Sequence, residues 1–216
     1  MLMLKKFFIC IILCFTISCS NANKNREMCA KLTANIKQKN YAEALKIAKN
    51  EDFYEEENSI LLKNLEIGTV YYIKGDYYQA LQYLNKSKKI SDDLYTVSIK
   101  KKLASGWDAN FDNYYGERYE RSMIRFYLSL VNYDLYKNGV YEEHTLDDNK
   151  TIVKQRELTD KEKRNHLMAS RSNIIEWDSL LKSYKNETPG QAIYKDDMLA
   201  KIWGAFIHSE FETSGD

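Results

Sequence analysis

The sequence predicts an all-α fold of stacked helical hairpins, on three observations. A chain of 216 residues holds one proline and eight glycines, so little in it interrupts a helix. Apolar residues recur at three-and-four spacing, while the strict alternation of a half-buried strand is absent. The stretch ENSILLKNLEIGTVYYIKGDYYQALQYLNKSKKI reads as helix, tight turn and second helix.

The chain opens on a targeting segment. Lys5 and Lys6 form a basic flank, and Phe7 to Ile17 is a nearly unbroken apolar run. Its length suits a secretory signal core of about 7–15 residues and falls short of the roughly 20 needed to span a bilayer. Thr16, Ile17, Ser18 and Cys19 then resemble the lipobox of bacterial lipoproteins, with Thr16 where leucine is usual. Ser18 is the small residue wanted before the cut, whereas Cys10 and Cys14 follow the bulky Ile9 and Leu13. The resemblance implies that residues 1–18 are a signal peptide and that the Cys19 thiol carries lipid, its new amine often acylated as well. Two or more acyl chains hold firmly, since each buried methylene adds about 0.8 kcal/mol. Ser20 is not the aspartate that retains many lipoproteins in an inner membrane. The expected location is therefore the periplasmic side of an outer membrane, or the cell surface.

The remainder from Cys19 is long enough for one sizeable core or two small ones. Losing Lys5 and Lys6 turns a formal charge of +1 into a balance one charge negative. Such near-neutrality argues against nucleic acid as a partner, which calls for a strong basic excess. Cys29 is then the one cysteine left over, so no disulfide framework is available, and no metal site or cofactor is expected. A half-buried place on the first helix suits it.

Residues 19–27 read as a polar tether, and residues 28–216 as a single helical-repeat domain. Helices are expected over Glu27–Lys39, Ala42–Asn50, Phe53–Lys74, Tyr77–Ile90, Asp93–Ala104, Tyr119–Lys137, Lys161–Lys185 and Lys195–Phe211. Thr159 to Glu162 spell a capping box ahead of one of them, and Gly139 stops another. Met123, Phe126, Tyr127, Leu130 and Tyr133 share the spacing of one buried face. The clearest unit, 61–92, has Gly68, Tyr71, Tyr72, Gly75, Asp76, Tyr77, Ala80 and Leu81 in order. Gly68 and Ala80 are small enough to face each other where two helices cross. Gly75 is free to take a positive φ, and Asp76 can cap the second helix.

In this order and spacing the unit resembles a tetratricopeptide repeat of about 34 residues. Asn64 stands where that family often has tryptophan, and Asp92 replaces its terminal proline. Tyr41, Ala44 and Leu45 repeat Tyr77, Ala80 and Leu81 one unit earlier. The resemblance implies hairpins stacked in a right-handed array. Residues 195–216 look like the first helix of a further repeat, shortened or completed by a partner. The first-helix face Leu62, Leu65, Thr69, Tyr72 and Ile73 lacks the cations of a peptide-carboxylate clamp, and coverage by neighbouring helices is expected there.

The segment SGWDANFDNYYGERYERSMIRFYLSLVNYDLYKNG resembles the core of an uncharacterised family of repeat-containing bacterial lipoproteins. The likeness falls on Asn113, Tyr114, Gly116, Glu117, Tyr119, Glu120 and Arg121, a candidate binding or structural block. Glu117 and Glu120 lie one turn apart and could act as an acid–base pair. A first helical turn also suits carboxylates through the macrodipole, with Arg118 and Arg121 to pair with them. His144 reads as solvated in an acidic loop, His166 as an available base, and His208 as partly buried. The function expected is a lipid-anchored protein-binding scaffold or assembly adaptor of the cell envelope, with no catalytic residues. The alternatives are a cell-wall enzyme using Glu117 or Glu120, and an accessory subunit of a secretion or surface-fibre assembly.

Overall fold

The computed structural model describes residues 23–54, 59–105, 118–145, 151–187 and 197–213. Cys19 lies outside them. The described residues form seven helices with four two-residue strands, an all-α fold.

Helix α1 covers 23–37 and includes residues expected in the tether. That end is tied down: Asn25 accepts the Tyr54 N–H at 3.2 Å, and Lys24 lies 3.4 Å from Asp52. Leu32 is buried, and Cys29, a free thiol, is half-buried as expected. Helix α2, Tyr41–Lys49, buries Ala44 and Ala48 completely.

Helix α3, Ile60–Lys74, and helix α4, Tyr77–Ser105, make the clearest hairpin. Gly75 sits at φ +89°, with nothing near the place of a Cβ, so the backbone twist is what demands glycine. Its N–H donates to the Tyr72 carbonyl and that of Asp76 to the Tyr71 carbonyl, both at 3.0 Å, which closes α3 with a Schellman motif. Asp76 then caps α4 by accepting the Gln79 N–H at 3.3 Å. A Cβ on Gly68 would meet Tyr83 and Leu84 at 3.2–3.3 Å. The close approach is thus to the turn after Ala80 rather than to Ala80 itself, which is nevertheless fully buried.

The break expected between Ile90 and Asp93 does not occur, and α4 runs through in one piece. Ser91 is buried, and the Asp92 carboxylate, a potential helix-breaking group, is taken up by Arg125 instead of its own backbone.

Helix α5, Arg118–Asn138, is central and packs on both α4 and helix α6, Asp160–Glu187. Its buried face is not the expected aromatic stripe, whose members are half-buried. Burial falls instead on Ile124, Leu128, Val131 and Leu135, together with Arg121, Arg125, Ser129 and Asn132. A helix covered on two sides must bury polar positions, and small ones permit close contact. Ser170 of α6 donates to the Ser129 carbonyl at 2.9 Å.

Between α5 and α6 the chain makes an excursion that alternation did not reveal. Strand β1 (Val140–Tyr141) pairs with β4 (Arg156–Glu157), and β2 (His144–Thr145) with β3 (Ile152–Val153), both antiparallel. Gly139, at φ +65°, turns into it, and Leu158 donates back to the Gly139 carbonyl at 2.7 Å. The capping box opens α6 as expected: Glu162 accepts the Thr159 N–H at 2.9 Å and donates its own N–H to the Thr159 hydroxyl at 3.3 Å. Helix α7, Met198–Thr213, packs on α6, with Gly204 against Ile174.

The main helix contacts run between neighbours in sequence, from α2·α3 through α6·α7. One apolar cluster joins α1 to α5, and a smaller one of Leu167, Ile174 and Ile207 joins α6 to α7. Among the described residues no helix is long and apolar enough to cross a membrane.

Candidate functional site

Tyr71 and Lys74 on α3, and Tyr83 and Lys86 on α4, are each three residues apart and so share a helix face. The hairpin brings the two rings together, with centroids 5.7 Å apart and planes inclined by 20°. From the end of α2, Lys49 donates to the Tyr71 hydroxyl oxygen at 2.9 Å. Its ammonium lies 5.2 Å from the Tyr71 centroid and 5.8 Å from that of Tyr83. Lys74 lies 5.7 Å from the Tyr71 centroid, and Lys86 lies 4.9 Å from that of Tyr83. These are cation–π distances.

Asp76 and Gln79 from the start of α4, and Glu143 and His144 from the excursion, complete a cleft of about 720 Å³. That volume is ordinary for a ligand site, but most such sites are apolar and this one is mostly polar. His144 is buried rather than solvated, its ring 4.4 Å from that of Tyr78. Its Nδ1–H donates to the Glu142 carbonyl at 2.9 Å, which leaves Nε2 as an acceptor. Pairing of β2 with β3 folds this part of the acidic loop back onto the protein. Asp76 is buried 3.5 Å from Lys74, and burial pushes the Glu142 carboxyl above its usual range. Lys49, Lys74 and Lys86 line the cleft together with the Asp76 carboxylate and the exposed Glu143.

The repeat signature divides between core and site. Gly68, Ala80 and Leu81 serve the hairpin core, and Tyr71 and Asp76 line the cleft. Tyr72 turns toward α5, its ring 6.1 Å from Tyr127 and 5.8 Å from Tyr77. Coverage of that face is uneven, since Leu62, Leu65 and Thr69 are half-buried and Ile73 is exposed.

Of the candidate block, Asn113, Tyr114, Gly116 and Glu117 lie outside the described residues, and Tyr119 is the second residue of α5. Glu120 is half-buried in the first turn of α5. Arg121 reaches across to α4. Its guanidinium lies 3.6 Å from the Tyr95 centroid and 3.6 Å from Asp92. Arg125 joins the same carboxylate, and Lys88 and Glu176 pair beside it at 2.5 Å. The cluster reads as a clasp between α4, α5 and α6.

His166 is buried, its Nδ1–H donating to the Asn132 side-chain oxygen at 2.9 Å and its Nε2 accepting from the Tyr141 hydroxyl at 2.7 Å. Burial lowers its pKa, so the neutral ring pins the excursion to α5 and α6. His208 is exposed rather than partly buried. Among the described residues no group of three or more His, Cys, Asp or Glu side chains is placed to hold a metal.

A second, apolar groove of about 580 Å³ runs between α6 and α7 beside Ile174, Ile175, Ala200 and Gly204. Met198, Leu199, Ile202 and Phe206 of α7 are exposed. The sequence reading missed the cleft, because its lysines come from three helices. The recurring Tyr-x-x-Lys of α3 and α4 is the signal that would have found it. No protein-family model matches the chain, and neither a curated protein nor a solved structure matches it.

Proposed function

We propose that the protein is a lipid-anchored scaffold of the bacterial cell envelope, held through Cys19 and binding a protein partner with its stack of helical hairpins. It acts from the periplasmic side of the outer membrane or from the cell surface. The observation that supports this reading is the packing order, in which each helix contacts chiefly its neighbours in sequence. Such a stack presents extended surfaces, as helical-repeat proteins do. A polar cleft on one part of it and the exposed apolar side of α7 are both suited to macromolecular contact.

Crosslinking in intact cells followed by capture from detergent-solubilised membranes tests the reading. A defined protein recovered at constant stoichiometry is expected. Release of cell-wall fragments by the purified protein, abolished in Glu120→Gln, would replace the scaffold with the enzyme.

A further inference from the structure

We propose that helix α1 lies flat along the membrane, with its exposed edge of Arg26 and Lys37 against anionic phospholipid headgroups, an inference that rests on the lipid anchor of the reading above. Only four residues separate Cys19 from Asn23, where α1 begins, and they span at most about 14 Å. Helix α1 is part of the folded body. The Tyr54 N–H donates to Asn25, Lys24 pairs with Asp52, and Leu32 is buried in the cluster that joins α1 to α5. An anchor at Cys19 therefore brings this helix, and the body behind it, to the headgroups.

Charge is segregated along the chain in the sense that such a contact needs. From Asn23 to Lys49 there are seven lysines and arginines against two glutamates. Beyond Lys49 there are 23 basic and 29 acidic residues, so the excess nearest the anchor is opposite in sign to the rest. Four of the seven cations are committed: Lys24 to Asp52, Lys31 to Glu27, Lys46 to Glu43, and Lys49 to the Tyr71 hydroxyl. Arg26, Lys37 and Lys39 are exposed, and no ion pair holds them among the described residues. Arg26 stands in the first turn of α1, where the helix dipole disfavours a cation. The helix itself gives no reason for it.

The spacing follows from helix geometry. Arg26 and Lys37 are eleven residues apart, three turns and about 20°, so they share one edge and lie about 16 Å apart along the axis. Ala30 and Thr33, small and exposed, stand between them on that edge and would not hold the helix off a surface. Glu27, to the side of the edge, is answered by Lys31 at 2.7 Å. An upright α1 would carry Lys37 about 20 Å above the first residue of the helix, well beyond a screening length of about 10 Å. A helix lying flat engages both cations.

Amine labelling of the full chain reconstituted into vesicles tests this, read residue by residue by mass spectrometry. In vesicles of about one-third phosphatidylglycerol, Lys37 should react about fivefold more slowly than in pure phosphatidylcholine, because the anionic surface draws it in. Lys89 of α4 and Lys154 beside β3, both exposed, should change less than about twofold, and high salt should erase the difference at Lys37. Arg26→Glu should melt as the parent does and restore most of the Lys37 labelling. Equal labelling of Lys37 in the two vesicle types, or protection that survives Arg26→Glu, would overturn the proposal. Protection of Lys37 by added polyglutamate but not by phosphatidylglycerol would overturn it in favour of an acidic protein. Lys37 left unprotected while Cys19 carries its fatty-acid label would remove this inference and leave the anchor standing. Protection without any label on Cys19 would keep the basic edge and remove the anchor.

Discussion

Arg125 of α5 holds Asp92 of α4 with one guanidinium nitrogen, Nη2, which lies 2.5 and 2.6 Å from the two carboxylate oxygens. Arg121 shares the same carboxylate, and both arginines are buried. Stripping the anion from a fully buried pair costs about 3–5 kcal/mol. The Asp92 side chain is 38% exposed, so water recovers part of that. Asp92→Ala should therefore cost about 2–3 kcal/mol in urea unfolding, and the exposed Asp93→Ala much less.

Ala80 is fully buried inside the α3–α4 hairpin. Ala80→Leu should overfill that contact and cost about 1–3 kcal/mol, read as a lower thermal midpoint. An unchanged midpoint would mean that the hairpin opens without loss there.

Glu162 is held at a pKa of about 2 by Arg156 and by the Thr159 hydrogen bonds. A carboxylate depressed in the folded state adds stability above its unfolded pKa, and that stability is lost as pH falls toward 2. Glu162→Gln should flatten the acid limb of a stability–pH curve between about pH 4.5 and 2. The effect should shrink in high salt, because the pair is exposed.

His166 moves the other way. Burial lowers its folded pKa, so below about pH 6.5 the unfolded chain takes up the proton first and stability falls as pH falls. Glu66, Asp134 and Glu142, raised by burial, oppose that trend as they take up protons in the folded state. The difference between parent and His166→Gln isolates the histidine: it should appear between pH 6.5 and 5 and vanish above pH 7.5.

Cys19→Ala should abolish incorporation of a fatty-acid analogue and leave the protein unprocessed or released from membranes. Label retained in the variant would place the lipid elsewhere or show that there is none.

Local chemistry was legible and tertiary chemistry was not. Gly75, Asp76 and the Thr159–Glu162 box act on their own backbone within a few residues, so their roles follow from type and spacing. The continuity of α4 depends on an arginine 33 residues away that occupies Asp92. Two-residue strands are too short to show alternation, and they are fastened by the Tyr141–His166 contact rather than by a pattern. The aromatic stripe of α5 misled because periodicity marks one face, and this helix is covered on two. The histidines failed for the same reason, since a local sequence does not say what folds over it.

The two unequal apolar clusters determine how the protein comes apart. Helix α7 rests on the smaller cluster and on a few bonds to α5: Trp203 to the Ser129 hydroxyl at 2.8 Å, Tyr133 to Glu210 at 3.1 Å, and Lys137 to Glu210 at 2.8 Å. It can therefore peel away as a cooperative unit of low local stability while the α1–α5 body stays protected. Amides of α7 would exchange with solvent orders of magnitude sooner than those of α3, and a protease would trim this end before nicking the rest. A protein bound against α7 would slow that exchange, so its amides are the place where such binding would be read.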